Sequence, residues 1–228
     1  MAATDEFSAG PWSLLAQRRD RRGGGEMGKV VAQASVSLDG FIAGPGGSGF
    51  DRLFAWCTAG EVATPSAQPD RLTYRTSAGT ADYLRDTMAR TGALVVGRGQ
   101  FDLTGGWGGS HPIGDVPVFV VTHRPPEGWV NTVTPFTFVT DGVESAVRQA
   151  VAAAGARDVG IGPGSLVGQA LGLGLLNELR LDLVPVVLGG GVRMLDGVGA
   201  APVDFDDPEV IVGAGVTHLI YRRSVPTT

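Results

Sequence analysis

The sequence predicts an α/β domain built on a mostly parallel β-sheet that closes in an antiparallel edge. Three observations carry this prediction. Strand-like runs alternate with helical segments between residues 29 and 173, which is the order of a parallel sheet. Turns rich in Gly, Arg or His directly follow four of those runs. Past residue 178, two more strand-like runs occur with no helix between them, as an antiparallel edge requires.

The elements follow in order. KVVAQASVS (29–37) is rich in β-branched residues and partly alternates, so it reads as a strand. Residues 77–90 read as a helix: Thr80 caps it, Leu84 and Met88 share a face, and Gly92 ends it. ALVVG (93–97) is a short buried strand. VPVFVVT (116–122) is another, with Pro117 at its start, where a missing N–H does little harm. Residues 136–140 form a third. Residues 141–154 read as a helix with a capping box, Asp141 and Glu144, and a stop at Gly155. A strand at 158–161 leads through a glycine-rich turn into a helix at 165–173, which Ser165 caps and Gly174 closes. ELRLDLVPVVL (178–188) alternates and then becomes continuously apolar, and VTHLIYR (216–222) is the last alternating strand. Residues 1–26 carry a basic, Gly-rich run without apolar periodicity. They read as a disordered tail, or as a mis-assigned start ahead of Met27, with one domain over 27–228.

Composition narrows the classes. A net charge of −5 argues against a nucleic-acid groove, which shows as a basic stripe. No apolar run reaches the roughly 20 residues needed to span a bilayer. The single cysteine, Cys57, excludes an intramolecular disulfide and a Cys-based metal cluster, and it fits a reducing cytoplasm. The three histidines, His111, His123 and His218, have no metal-site spacing, so no metal is expected.

The chemistry-bearing segments are the turns. GIGPGS (160–165) sits between a strand and a helix, where free N–H groups and the helix dipole favour a phosphate. A plain tight turn is the alternative. It does not meet the Rossmann fingerprint, because Ser165 stands at the third Gly position. VVGRGQF (95–101) places Arg98 after a strand, and VVTHR (120–124) places His123 and Arg124 after another. Three cationic side chains in two such turns suggest a clamp for a phosphate, which Arg pairs with in a bidentate way. In SLDGFIAG (37–44), Asp39–Gly40 is a turn dipeptide, so Asp39 reads as structural. Asp51 precedes Phe54 and Trp56. Aromatic surroundings would raise its pKa and let it pass a proton, or it caps the helix that begins there. Trp107, in TGGWGG, is a pocket wall or a loop anchor.

Taken together, VSLDGFIA, ALVVGRGQFD, VPVFVVTHR, DVGIGPGSLVGQAL and LLNELRLDLVPVVLGGGVRML resemble the dihydrofolate-reductase-like superfamily. The nearer branch is the one related to the C-terminal reductase domain of bacterial riboflavin biosynthesis. The resemblance covers residues 29–223. It implies a three-layer αβα fold with a central sheet of about eight strands, and NADPH lying across the strand ends. By position it places Ser35 and Ile42 beside the nicotinamide, and Gly97 and Arg98 at the pyrophosphate and adenosine half. Thr122, His123 and Arg124 would surround the 2′-phosphate. Gly162, Gly164, Ser165 and Leu166 would hold the nicotinamide-side phosphate at a helix N-terminus. The sequence departs from the pattern at Gln100, where a Thr is common, and at Pro163, which removes a donor N–H. The deaminase half of the bifunctional riboflavin enzyme has no counterpart here.

The resulting expectation is an NADPH-dependent reductase of a small pterin-, folate- or ribosylaminopyrimidine-like substrate. Ser37, Asp51, Phe54, Trp56 and Trp107 would form the pocket, and the C-terminal strands a homodimer interface. The alternative from another class is a non-catalytic NADP(H)-binding sensor or module.

Overall fold

The computed structural model describes residues 28–130, 133–199 and 202–224, so the segment 1–26 lies outside the described residues. The chain runs through β1 (Val30–Ser37), β2 (Phe41–Ala43), a short helix α1 (Phe50–Leu53), and the hairpin β3 (Val62–Pro65) and β4 (Thr73–Thr76). It continues with α2 (Ala78–Arg90), β5 (Thr91–Gly97), α3 (Arg98–Leu103), β6 (Val118–Val121) and β7 (Phe136–Val139). Next come α4 (Val143–Ala154), β8 (Asp158–Ile161), α5 (Ser165–Gly172) and β9 (Glu178–Val184). The last elements are β10 (Val192–Arg193), β11 (Glu209–Gly213) and β12 (Val216–Arg222).

Eight strands form the central sheet in the order β11-β12-β9-β1-β8-β5-β6-β7. The pairs β9–β1, β1–β8, β8–β5, β5–β6 and β6–β7 are parallel, whereas β12 runs against both β9 and β11. The expected mostly parallel sheet with an antiparallel edge is therefore what forms.

The strands alternate between two helical layers. Ala93 and Val95 of β5 pack with Val143, Val147 and Ala150 of α4 and Leu166 and Ala170 of α5. Leu94 and Val96 face the other way, onto Phe101 of α3. Farther along that second face, Leu84 of α2 packs with Leu53, Trp56, Val184 and Val216. Burying one Val or Leu side chain contributes about 1.5–3 kcal/mol, so these three clusters are the fold's main support.

Several boundaries differ from expectation. The Asp141–Glu144 capping box does not form: Gly142, at φ 100°, takes the cap position of α4, and Glu144 pairs with Arg148 at 3.2 Å. Ser77, not Thr80, caps α2, and Thr80 is buried inside the helix. Gly92 belongs to β5, where a Cβ would press to 3.0 Å on that of Ala154. Gly164, at φ 92°, replaces Ser165 as the cap of α5. β9 stops at Val184 because Pro185 has no N–H for the ladder; Leu38 N–H then bonds the Val186 carbonyl at 2.8 Å.

One face of β9 is mostly charged. Glu178, Arg180 and Asp182 are all buried under α2. Arg180 Nε donates to Glu178 at 2.6 Å and its Nη1 to Thr87 at 2.9 Å. Asp182 accepts from the Tyr83 hydroxyl at 3.2 Å and from Gln33 at 3.1 Å, and it sits 2.7 Å from His218 Nδ1. The other ring nitrogen of His218 lies 3.1 Å from Thr80 Oγ1.

Candidate functional site

Because β1, β5, β6 and β8 are parallel, their C-terminal exits open on one edge of the sheet. Each exit is one of the four turns singled out in the sequence.

At the β8 exit, Gly162 N–H bonds the Val95 carbonyl at 2.8 Å, which seats the turn against β5. A Cβ at Gly162 would collide with the side-chain amide of Gln100. Gln100 Oε1 is buried there without a partner. At Gly164 a Cβ would lie 3.8 Å from Ile42 and 3.9 Å from Val192, and at Gly97 one would lie 3.6 Å from Leu166. Ile42, Gly97, Gly162, Gly164 and Leu166 are thus brought together, with Ser165 exposed on the first turn of α5.

The β5 and β6 exits form a second group. Arg98 Nε donates to both carboxylate oxygens of Asp102, at 2.7 and 2.8 Å, and its Nη1 donates to the Arg124 carbonyl at 2.8 Å. Thr122 is buried; its hydroxyl donates to the same carbonyl at 2.8 Å and accepts from Arg124 N–H at 3.3 Å. This double tie shapes the turn. It leaves the side chains of His123 and Arg124 exposed and unpaired among the described residues.

The β1 exit is closed by Asp39. Its carboxylate accepts from the Ser37 hydroxyl at 2.6 Å, Leu188 N–H at 3.1 Å and Gly189 N–H at 2.7 Å. The Ser37 hydrogen bond is the main reason its pKa is held down, to about 2. Asp39 therefore joins the turn 37–40 to the segment after β9, as a turn residue should. Ser37 is buried, and its hydroxyl is already occupied by Asp39 and by Phe41 N–H at 2.9 Å.

The residues expected to line a substrate pocket each have partners of their own. Trp56 is buried; its indole Nε1 donates to Ser35 Oγ at 3.0 Å, and its ring meets His218 edge-on at 5.4 Å. Ser35 is consequently covered by Trp56. Asp51 is 79% exposed and lies 3.5 Å from Arg52, so the aromatic surroundings expected of it are missing, and the cap position of α1 is Gly49. Phe54 is 48% exposed and stacks on Phe50 at 6.2 Å. Trp107 takes φ 52° within the run Gly105–Gly109, where every φ is positive. Its ring packs edge-on against His111 at 4.5 Å and its carbonyl accepts from Arg71 at 2.8 Å, which are the contacts of a loop anchor. Burial pushes the His111 pKa down to about 4, so the imidazole under Trp107 is neutral at pH 7.

Sequence reasoning passed over Asp102, whose i,i+4 spacing from Arg98 was the available signal. It also passed over Gln33, whose contact with Asp182 has no local signature. A shallow depression of about 250 Å³ between Leu38, Leu183, Pro185 and Gly215 sits at the antiparallel edge and offers no charged group. Among the described residues, no group of three or more His, Cys, Asp or Glu could hold a metal ion.

The edge offers a phosphate bare backbone and a helix N-terminus. Bare backbone at Gly162 and Gly164 meets the N-terminus of an eight-residue helix, and the orphaned Gln100 amide can turn its N–H₂ into the same space. The unpaired side chains of His123 and Arg124 stand at the neighbouring exit.

Residues 28–211 match the family model of the RibD C-terminal domain. No curated protein matches the chain. Among solved structures, a protein assigned to riboflavin biosynthesis from Shewanella sp. PV-4 superposes with a TM-score of 0.62 at 22% identity, over 86% of this chain and 99% of its own. A diaminohydroxyphosphoribosylaminopyrimidine deaminase/5-amino-6-(5-phosphoribosylamino)uracil reductase from Thermotoga maritima superposes with a TM-score of 0.57 at 15% identity. The match covers 87% of this chain and 57% of that protein. Dihydrofolate reductase from Enterococcus faecalis, complexed with NADP(H), gives 0.51 at 15% identity, over 88% and 99%. At these identities the superpositions establish the fold, which is dihydrofolate-reductase-like.

Proposed function

The chain belongs to the RibD C-terminal domain family, and on that premise we propose that it is an NADPH-dependent reductase of a small heterocyclic substrate. Pterin-, folate- and ribosylaminopyrimidine-like compounds are the candidates. The observation that carries this reading is the convergence of four strand exits on one edge, with bare glycine backbone at one end and the exposed side chains of His123 and Arg124 at the other. When bound, NADPH supplies the hydride. The chain's own part is to hold and orient it. Gly162, Gly164, Ser165 and Leu166 receive the nicotinamide-side phosphate at the start of α5, and Gln100 turns its amide toward it. Gly97, Arg98 and Thr122 frame the adenosine half, and His123 and Arg124 meet the 2′-phosphate. Ile42 walls the nicotinamide end. Asp51, exposed beside Arg52, is given no proton-transfer role.

The protein is also proposed to be a homodimer through its C-terminal strands. The strands the sequence offers for it, 178–188 and 216–222, lie inside the sheet as β9 and β12; among the described residues the open edge is that of β11, which pairs only with β12 and exposes Val210 and Val212, the latter by 76%. Light scattering should give twice the monomer mass at micromolar concentration; the monomer mass would contradict the proposal.

The test of function is NADPH oxidation at 340 nm, screened against pterins, folates and pyrimidine ribitol compounds. Turnover with one of these is expected. NADPH binding without oxidation by any of them would favour the sensor reading instead.

A further inference from the structure

On the reading of the β5–β6 exits as the adenosine end of the cofactor site, we propose that Asp102 sets how strongly the protein discriminates NADPH from NADH. It does so by competing with the 2′-phosphate for Arg98. The two nucleotides differ at one position, a ribose hydroxyl or a phosphate carrying nearly two negative charges. An acidic residue accepts from the hydroxyl, whereas an Arg pairs with the phosphate. This chain carries both groups, and they are bonded to each other. Arg98 Nε lies 2.7 and 2.8 Å from the two oxygens of Asp102, one helical turn away on α3.

The Arg98 charge is therefore matched before any ligand arrives. Its Nη1 is also spent, on the Arg124 carbonyl at 2.8 Å, so the side chain braces the turn that presents His123 and Arg124. A 2′-phosphate that approaches Arg98 meets the Asp102 carboxylate as well, and like charges repel. A 2′-hydroxyl meets the same carboxylate as an acceptor. Both groups are reachable, with side chains 36% and 52% exposed. Asp102 thus weakens the preference for the phosphorylated nucleotide that His123 and Arg124 create. An exposed pair of this kind adds little to stability, so its removal is compatible with folding.

Asp102→Asn keeps the size and one acceptor oxygen but removes the charge. Equilibrium titration of the full chain with NADPH and NADH, and with the fragments adenosine 2′,5′-bisphosphate and adenosine 5′-phosphate, reads the effect without turnover. The Asn variant is expected to raise the NADPH:NADH affinity ratio about tenfold, the worth of one charge-assisted hydrogen bond. The fragments should follow, and the gain should shrink at high salt. Asp102→Ser removes the same charge and gives the same comparison should the Asn variant not fold. A parent protein that binds both nucleotides, with a ratio unmoved by either substitution, would overturn the role of Asp102 alone. A parent that binds neither would overturn the cofactor reading and this inference together.

Discussion

At the residue scale, the turns are governed by single side chains whose partners are fixed. Arg124 is exposed, and its guanidinium is unpaired among the described residues, while its carbonyl is held by both Arg98 and Thr122. Arg124→Ala should therefore leave the turn in place. NADPH binding should weaken by roughly tenfold, as the loss of one charge-assisted bond implies, with NADH almost unchanged; paired titrations would check this. Asp39 gives a pH prediction. Its pKa is about 2 when folded and about 3.9 when unfolded, so between these values the unfolded chain binds more protons. The stabilisation from Asp39 is fully present above about pH 4 and is lost as pH falls toward 2. Urea unfolding of the parent and Asp39→Asn should differ at pH 7 and converge in acid. These turns were legible in the sequence because Gly, Arg and His after a strand act locally. Trp56 was not: nothing near it in the chain indicates that its indole would reach across to Ser35.

At the scale of elements, helix α5 offers a test in which local propensity and packing give opposite signs. Replacing a helical Gly by Ala gains about 1 kcal/mol from propensity alone. At Gly168, however, the new Cβ would collide with the Asp196 carbonyl and lie 2.9 Å from Gly197 C. Gly168→Ala should lower the melting temperature, whereas Gly172→Ala, whose nearest neighbour is 3.6 Å away, should not. The charged face of β9 yields a second expectation. Asp182→Ala strands His218, Tyr83 and Gln33 without their acceptor, and breaking such a buried set costs about 3–5 kcal/mol. A fall in unfolding free energy of that size, measured in denaturant, is the expected result. The long helices were readable from their periodicity; in α4, Val143, Ala146, Val147, Ala150 and Ala154 are the buried stripe. The short strands β2, β3, β4, β10 and β11 were not, because two to five residues carry too little pattern and their pairing is set by distant partners.

At the scale of the whole molecule, the topology is what turns separate motifs into a site. Four turns spread over more than a hundred residues meet because four strands run parallel and lie within one sheet. That convergence was legible from strand–helix alternation, and so was the antiparallel edge. The surroundings of Asp51, Trp56 and Trp107 were not, because they depend on how α1 and the loops that follow it settle. Among the described residues, no helix is long and apolar enough to cross a membrane. The edge where the four turns meet is proposed to bind NADPH, and hydrogen–deuterium exchange of the full chain, with and without NADPH, locates the bound cofactor peptide by peptide. Slowed exchange is expected in peptides covering residues 37–44, 95–101, 120–125 and 160–167. Unchanged exchange in all four, or protection that appears only along β11 and β12, would contradict cofactor binding at this edge.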